Sequence, residues 1–146
     1  MDLNGYYVFI MNKHYVFIAG GIGITPFRSM LVALLEDNKQ IPITLFYLAA
    51  TDEEFIFEQE LRQAEKELGI TIIYVITGKA PDRWKGETGF FSASMLKRYV
   101  KNYRSSDYYL SGPQAMVLSY QSMLLQMNIG EDQIVVDSFT GYSSST

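Results

Sequence analysis

Tyr15–Asp37, YVFIAGGIGITPFRSMLVALLED, is the stretch whose reading decides the fold. Tyr15-Val16-Phe17-Ile18-Ala19 is a continuous apolar run rich in β-branched and aromatic residues and closed by glycine. Such a run predicts a strand buried on both faces. Gly20-Gly21-Ile22-Gly23 breaks it, and Thr25 stands as the N-cap of a following helix with Pro26 in its first position. Met30, Leu31, Leu34 and Leu35 then recur at helical spacing. The order strand, glycine turn, helix aims free backbone N–H groups and the positive end of a helix dipole at one point, where an anion is stabilised. Three glycines in four residues let a ligand approach the backbone without meeting a Cβ.

The pattern is not the GxGxxG fingerprint, since Pro26 stands where the third glycine would fall. No Gly-Lys-Ser/Thr follows, so it is not a P-loop either. Locally two readings remain: a cradle for a phosphate, or a plain tight turn between strand and helix.

Composition narrows the class. With 146 residues, 48% hydrophobic and 19% charged, the chain describes one folded domain with a sizeable core. A net charge of −4 argues against nucleic acid as the partner. There is no cysteine, which excludes disulfides, thiolate catalysis and cysteine metal sites, and the single His14 cannot build a metal cluster, so no metal site is expected. No apolar run reaches membrane-spanning length and no cleavable signal pattern is present, so a cytoplasmic location is the expectation.

Outward from the opening stretch, Tyr6–Ile10 reads as an extended segment leading into the first strand. Further strands are expected at Ile43–Ala49, Thr71–Thr77, Asp107–Leu110 and Gln133–Asp137. Helices are expected from about Asp52 to Leu68, ended by Gly69, then after a Ser92 cap, then over Gln114–Met127. Gly78–Gly89 reads as a long polar loop. Alternation of strand and helix predicts a three-layer, doubly wound α/β fold with a five-stranded parallel sheet of order 3-2-1-4-5. In that order the glycine turn after the first strand and Ser111-Gly112-Pro113 after the fourth flank one switch point, where ligands bind. Convergence of two glycine turns on one crevice favours the phosphate reading.

Phe17-Ile18-Ala19-Gly20-Gly21-Ile22-Gly23-Ile24-Thr25-Pro26, then Ser111-Gly112-Pro113, then Phe139-Thr140-Gly141-Tyr142 resemble, in order and spacing, the pyridine-nucleotide-binding half of ferredoxin–NADP reductase-type flavoenzymes. The resemblance runs from about Tyr6 onward. It implies that NAD(P)H bound here passes hydride to an FAD held by a separate barrel domain, and that the electrons continue to a redox protein or domain. Carried over by motif, Gly20, Gly21, Gly23, Thr25 and Pro26 would lie along the pyrophosphate and nicotinamide ribose. Gly112 and Pro113 would border the nicotinamide, Ser111 would stand at the reacting carbon, and Phe139 and Tyr142 would pack near the flavin. Thr77 and Lys79 fall where members of the family select between NADH and NADPH. No arginine stands beside Thr77, a pattern nearer to NADH-using members, although Lys79, Arg83 or Lys85 could offer a charge to a 2′-phosphate.

Two departures stand out. Serine replaces the cysteine that family members commonly carry before Gly-Pro, which removes a polarizable thiol and implies slower hydride transfer. The Arg-x-Tyr-Ser/Thr flavin motif is absent, so the chain by itself is expected not to hold FAD. Residues 1–12 are then expected to be the tail of a missing FAD-binding barrel, 13–142 the NAD(P)-binding domain and 143–146 a mobile tail. The alternative is a stand-alone doubly wound nucleotide-binding or interaction module without redox activity. Glu53 and Glu54 read as a solvated pair at a helix front, and the methionines, Met116 among them, as ordinary core. Trp84 reads as either a lid over the adenosine or a plug on the core.

Overall fold

The structure, a computed structural model, describes residues 13–140. Tyr6–Ile10 and Tyr142 therefore lie outside the described residues. The strands are β1 (Tyr15–Gly20), β2 (Ile43–Ala49), β3 (Thr71–Ile76), β4 (Glu87–Thr88), β5 (Asp107–Pro113) and β6 (Ile134–Phe139). The helices are α1 (Thr25–Glu36), α2 (Glu58–Leu68), α3 (Ala93–Tyr99) and α4 (Gln114–Gln126). All strands are parallel, in the order β4-β3-β2-β1-β5-β6.

β1 is central and every one of its residues is buried, as its unbroken apolar sequence requires. Its alternate side chains feed two cores. Tyr15, Phe17 and Ala19 pack with Phe27, Leu31 and Leu34 of α1 and Leu61, Ala64 and Leu68 of α2. Val16 and Ile18 pack with Met95 and Leu96 of α3 and Val117, Tyr120 and Leu124 of α4. The seat of α1 is set by rings: Phe17 stacks on Phe27 at 4.6 Å, and Tyr109 meets Phe27 edge-on at 4.9 Å.

The doubly wound parallel sheet is as expected, with one strand more. β4 has two residues, too few for any periodic signature, and it pairs Glu87 with Val75 and Thr88 with Ile76 inside the stretch expected to be loop. Long-range contacts hold it there. Arg98 of α3 donates to Glu87 at 2.7 Å, Tyr99 donates to the same carboxylate oxygen, and the Gly89 N–H donates to the Ile76 carbonyl at 2.9 Å. The Arg98 hydrogen bond, and then that of Tyr99, hold the Glu87 carboxyl below the usual carboxylate range.

Helix boundaries also shift. Asp52–Glu54 is an isolated 3-10 turn, and α2 starts only at Glu58, after Phe57 has taken a left-handed φ of 61°. Phe55 is drawn out of helical conformation by an aromatic nest: Tyr47 at 4.9 Å, Tyr74 at 5.1 Å and Trp84 stacked at 5.7 Å. Ile56 then donates its N–H to the Tyr47 hydroxyl at 3.1 Å. Trp84 thus packs on a loop phenylalanine at the sheet edge, and its indole N–H donates to the Glu87 carbonyl at 2.9 Å. Thr25 is not an N-cap but the first residue of α1, because Gly21–Ile24 forms a 3-10 turn that runs directly into the helix and leaves Pro26 second. Ser111-Gly112-Pro113 continues β5 instead of turning, since each residue pairs with β6: Ser111 with Asp137, Gly112 with Ser138, Pro113 with Phe139.

Ser92 does cap α3, its Oγ accepting from the Met95 N–H at 3.1 Å. Ser92→Ala is expected to cost about 1 kcal/mol, since it leaves that donor without its side-chain partner. Urea denaturation would check this, and a midpoint equal to wild type would show that the cap contributes nothing.

Candidate nucleotide-binding site

The carboxyl ends of the central strands open onto one cleft of about 450 Å³. Gly20 at the end of β1 with Gly21 after it, Ala49 at the end of β2 with Ala50 after it, Thr77 after β3 and Pro113 at the end of β5 form its base. The two glycine stretches meet beneath it in close backbone contact. A Cβ on Gly23 would lie 2.2 Å from the Ser111 carbonyl oxygen and 2.8 Å from the Gly112 nitrogen. A Cβ on Gly112 would lie 3.4 Å from the Gly20 Cα and 2.7 Å from the Met116 methyl. Gly23 is therefore required by packing, because any side chain there would press on the backbone of β5, whereas a Cβ on Gly112 would meet chiefly the movable end of Met116. Gly21 differs. Its φ is +56°, and nothing lies within 4 Å of the place its Cβ would occupy. The space over Gly21 is open, and it lies at the start of the 3-10 turn Gly21–Ile24 that runs into α1, where the first N–H groups lack helical partners. A phosphate fits that geometry.

Other candidate residues are distributed around this core. Thr25 is exposed and Pro26 half-buried in the first turn of α1. Ser111 is 2% exposed and lies in the floor, not on the lining. Thr77 lines the cleft, with its hydroxyl donating to the Ala49 carbonyl at 3.4 Å. Lys79 is exposed and does not line the cleft. Phe139 is half-buried and pairs in register with Pro113, one strand away from the cleft base.

The structure adds residues that the sequence did not point to. Phe90 and Ile56 stand on the cleft with 75% and 40% exposure, and Ile22 projects from the glycine turn at 52%. Met116 and Tyr120 of α4 form a wall, with the Met116 sulfur filling the space above Gly20. Their i, i+4 spacing on the helix after Ser111-Gly112-Pro113 was visible in the sequence, but the same spacing is what an ordinary core face shows. Glu54, expected to be a solvated helix-front charge, lines the cleft as its only charged side chain among the described residues.

His14 lies far from this region, before β1, with Nε2 2.9 Å from the Thr44 hydroxyl and its pKa lowered by burial. Among the described residues no cluster of His, Asp and Glu could hold a metal ion. No helix among them is long and apolar enough to cross a membrane.

The chain is similar to a subunit of the Na(+)-translocating NADH-quinone reductase of Methylococcus capsulatus, at 31% identity over 136 residues, covering 89% of this chain and 33% of that one. The corresponding protein of Haemophilus influenzae is 28% identical over 136 residues, with the same coverage of 89% and 33%. The chain thus spans about a third of the length of these curated relatives. In fold it resembles the FAD/NAD-binding domain of nitric oxide dioxygenase from Vibrio cholerae, with a TM-score of 0.78, 22% identity, and 92% of this chain and 54% of that one covered. The cytochrome b5 reductase domain of Ulva prolifera nitrate reductase superposes with a TM-score of 0.76 at 24% identity, covering 86% of this chain and 48% of that one. The family model for the oxidoreductase NAD-binding domain matches residues 17–122, from within the central strand to the wall helix of the cleft, and the chain belongs to that family.

Proposed function

We propose that the cleft binds a reduced pyridine nucleotide, NADH in preference to NADPH, and presents its nicotinamide to an FAD carried by a separate domain. The observation that carries this reading is the open space over Gly21, at positive φ, between an interlocked glycine floor and the start of α1. That shape admits a pyrophosphate and rejects a side chain. The names of the relatives, NADH-quinone reductase subunits and FAD/NAD-binding domains, point to the same pair of cofactors.

Each part of the chain has a task in this scheme. Gly21 holds the pyrophosphate over a floor that Gly20 and Gly23 keep close-packed, helped by the first turn of α1 with Thr25 and Pro26. Pro113 and Met116, with Tyr120 behind them, form an apolar wall that orients the nicotinamide and keeps water from it. Ser111 and Gly112 fix the height of that wall through their contact with Gly23. Phe90 and Ile56 offer exposed apolar surface to the adenine. Bound here, a reduced pyridine nucleotide would supply a hydride to the flavin. The protein supplies position. Phe139 would face the flavin domain, and a redox protein or domain would take the electrons onward. A soluble, cytoplasmic setting belongs to the same proposal.

Titration calorimetry with NADH and NADPH at about 0.15 M salt tests it, at an ionic strength where exposed charges are largely screened. NADH should bind at least as tightly as NADPH. NADPH tighter by about tenfold, with Lys79→Ala erasing the difference, would instead assign Lys79 to a 2′-phosphate and overturn the preference. An exposed lysine contact is worth about 1 kcal/mol or less, too little for that outcome alone.

A further inference from the structure

Among the described residues Glu54 is the one charged group on the cleft, and its placement is specific. The 3-10 turn Asp52–Glu54 folds it back over the end of β2. Its Oε1 accepts from the Ala50 N–H and its Oε2 from the Thr51 hydroxyl, both at 3.4 Å. Bonds of that length are weak and occupy one site on each oxygen, so the carboxylate keeps lone pairs for a ligand. Among the described residues no cation lines the cleft to offset it. Arg83 is engaged with Asp52 at 3.0 Å, Arg28 with Glu60 at 3.4 Å, and Lys79 lies off the lining.

The cleft is polarised from side to side. Pro113 and Met116 lie at its β5 end, the glycine turn at its middle, and Thr77 and Glu54 at its β3 end. With the nicotinamide against Pro113 and the pyrophosphate over Gly21, the adenosine ribose falls at Glu54 and Thr77. We infer that Glu54 is a specificity-determining residue: its carboxylate accepts from the free 2′,3′-diol of that ribose and repels a 2′-phosphate. The inference rests on the nucleotide reading above and assigns the discrimination to one residue. The chemistry is general. A carboxylate is an acceptor-only group that suits two adjacent hydroxyls, whereas a phosphate dianion brings like charge beside it, with no cation among the described lining residues to offset it. Selection here works by penalty against the wrong nucleotide as much as by contact with the right one.

The test compares the 146-residue chain with Glu54→Gln and with Glu53→Gln, titrating NADH and NADPH into each. Glu54→Gln removes the charge and keeps one acceptor oxygen for the Ala50 N–H, while its NH2 can donate to the Thr51 hydroxyl where the carboxylate accepted from it. Glu53→Gln makes the same change in net charge on an exposed neighbour that does not line the cleft. Glu54→Gln should weaken NADH and strengthen NADPH, moving the ratio of their dissociation constants by about tenfold. Glu53→Gln should leave the ratio within about twofold of wild type, as screened surface charges do. Circular dichroism and melting temperature confirm that each variant is folded. A wild type that binds NADH while Glu54→Gln leaves the ratio unchanged would overturn the assignment and spare the nucleotide reading. Equal shifts in both variants would also overturn it, since they would report net charge and not position. Binding of neither nucleotide by the wild type would overturn the nucleotide reading and this inference with it.

Discussion

Gly23→Val is expected to destabilise the fold by about 3 kcal/mol or more, in the range of severe overpacking. The new Cβ would sit 2.2 Å from the Ser111 carbonyl oxygen and 2.5 Å from its carbon. Those atoms are backbone of β5, which pairs with β1 on one side and β6 on the other. They cannot rotate out of the way as the end of a side chain can. Relief requires the two strands to part or the turn to lift, and either breaks the stacking of Phe17 on Phe27 that seats α1. The measurement is thermal and urea denaturation of the purified variant. A melting curve matching the wild type would mean that the contact between the two glycine stretches is not present in solution.

Gly21→Val should act on binding instead, lowering nucleotide affinity by about a hundredfold or more. A Cβ there meets no protein atom within 4 Å, so the fold has room for it. The cost to stability is the positive φ of 56°, about 2 kcal/mol for a branched residue. The branched side chain, however, would project into the space that the pyrophosphate needs. Each displaced charge-assisted hydrogen bond to a phosphate is worth about 1.5–3 kcal/mol, so the loss of one or two accounts for the expected factor. Calorimetry on folded Gly21→Val, with NADH as titrant, decides the matter. Undiminished affinity in a folded variant would move the phosphate away from this turn.

The contrast between these two glycines marks the limit of what the chain alone discloses. In sequence they are two members of one GGIG run and invite the same treatment. In three dimensions one is a packing contact and the other an opening, because the atom that decides Gly23 belongs to Ser111, 88 positions away.

What the sequence determined by itself rests on local, periodic signals. The apolar runs of β1 and β2 permit no solvated face, and each strand is followed by a helical pattern, so a parallel sheet with helices on both sides follows from adjacent residues and the handedness of crossovers. The placing of Gly20–Pro26 and Ser111–Pro113 at neighbouring strand ends follows in turn, and with it the location of the cleft. Tertiary structure alone decided the features that lack a period of their own. β4 is two residues long and exists because α3 anchors Glu87. Phe55–Phe57 carries helical sequence, yet an aromatic nest from β2, β3 and the Trp84 loop stabilises more than three further helical residues would. Glu54 reaches the cleft for the same reason: with α2 delayed to Glu58, the acidic residues that would have capped a helix are folded over the end of β2. Helix propensity is worth tenths of a kcal/mol per residue, while burying one aromatic ring is worth several times that. At this loop the long-range term is the larger one, and it folds an exposed charge onto the rim of the cleft.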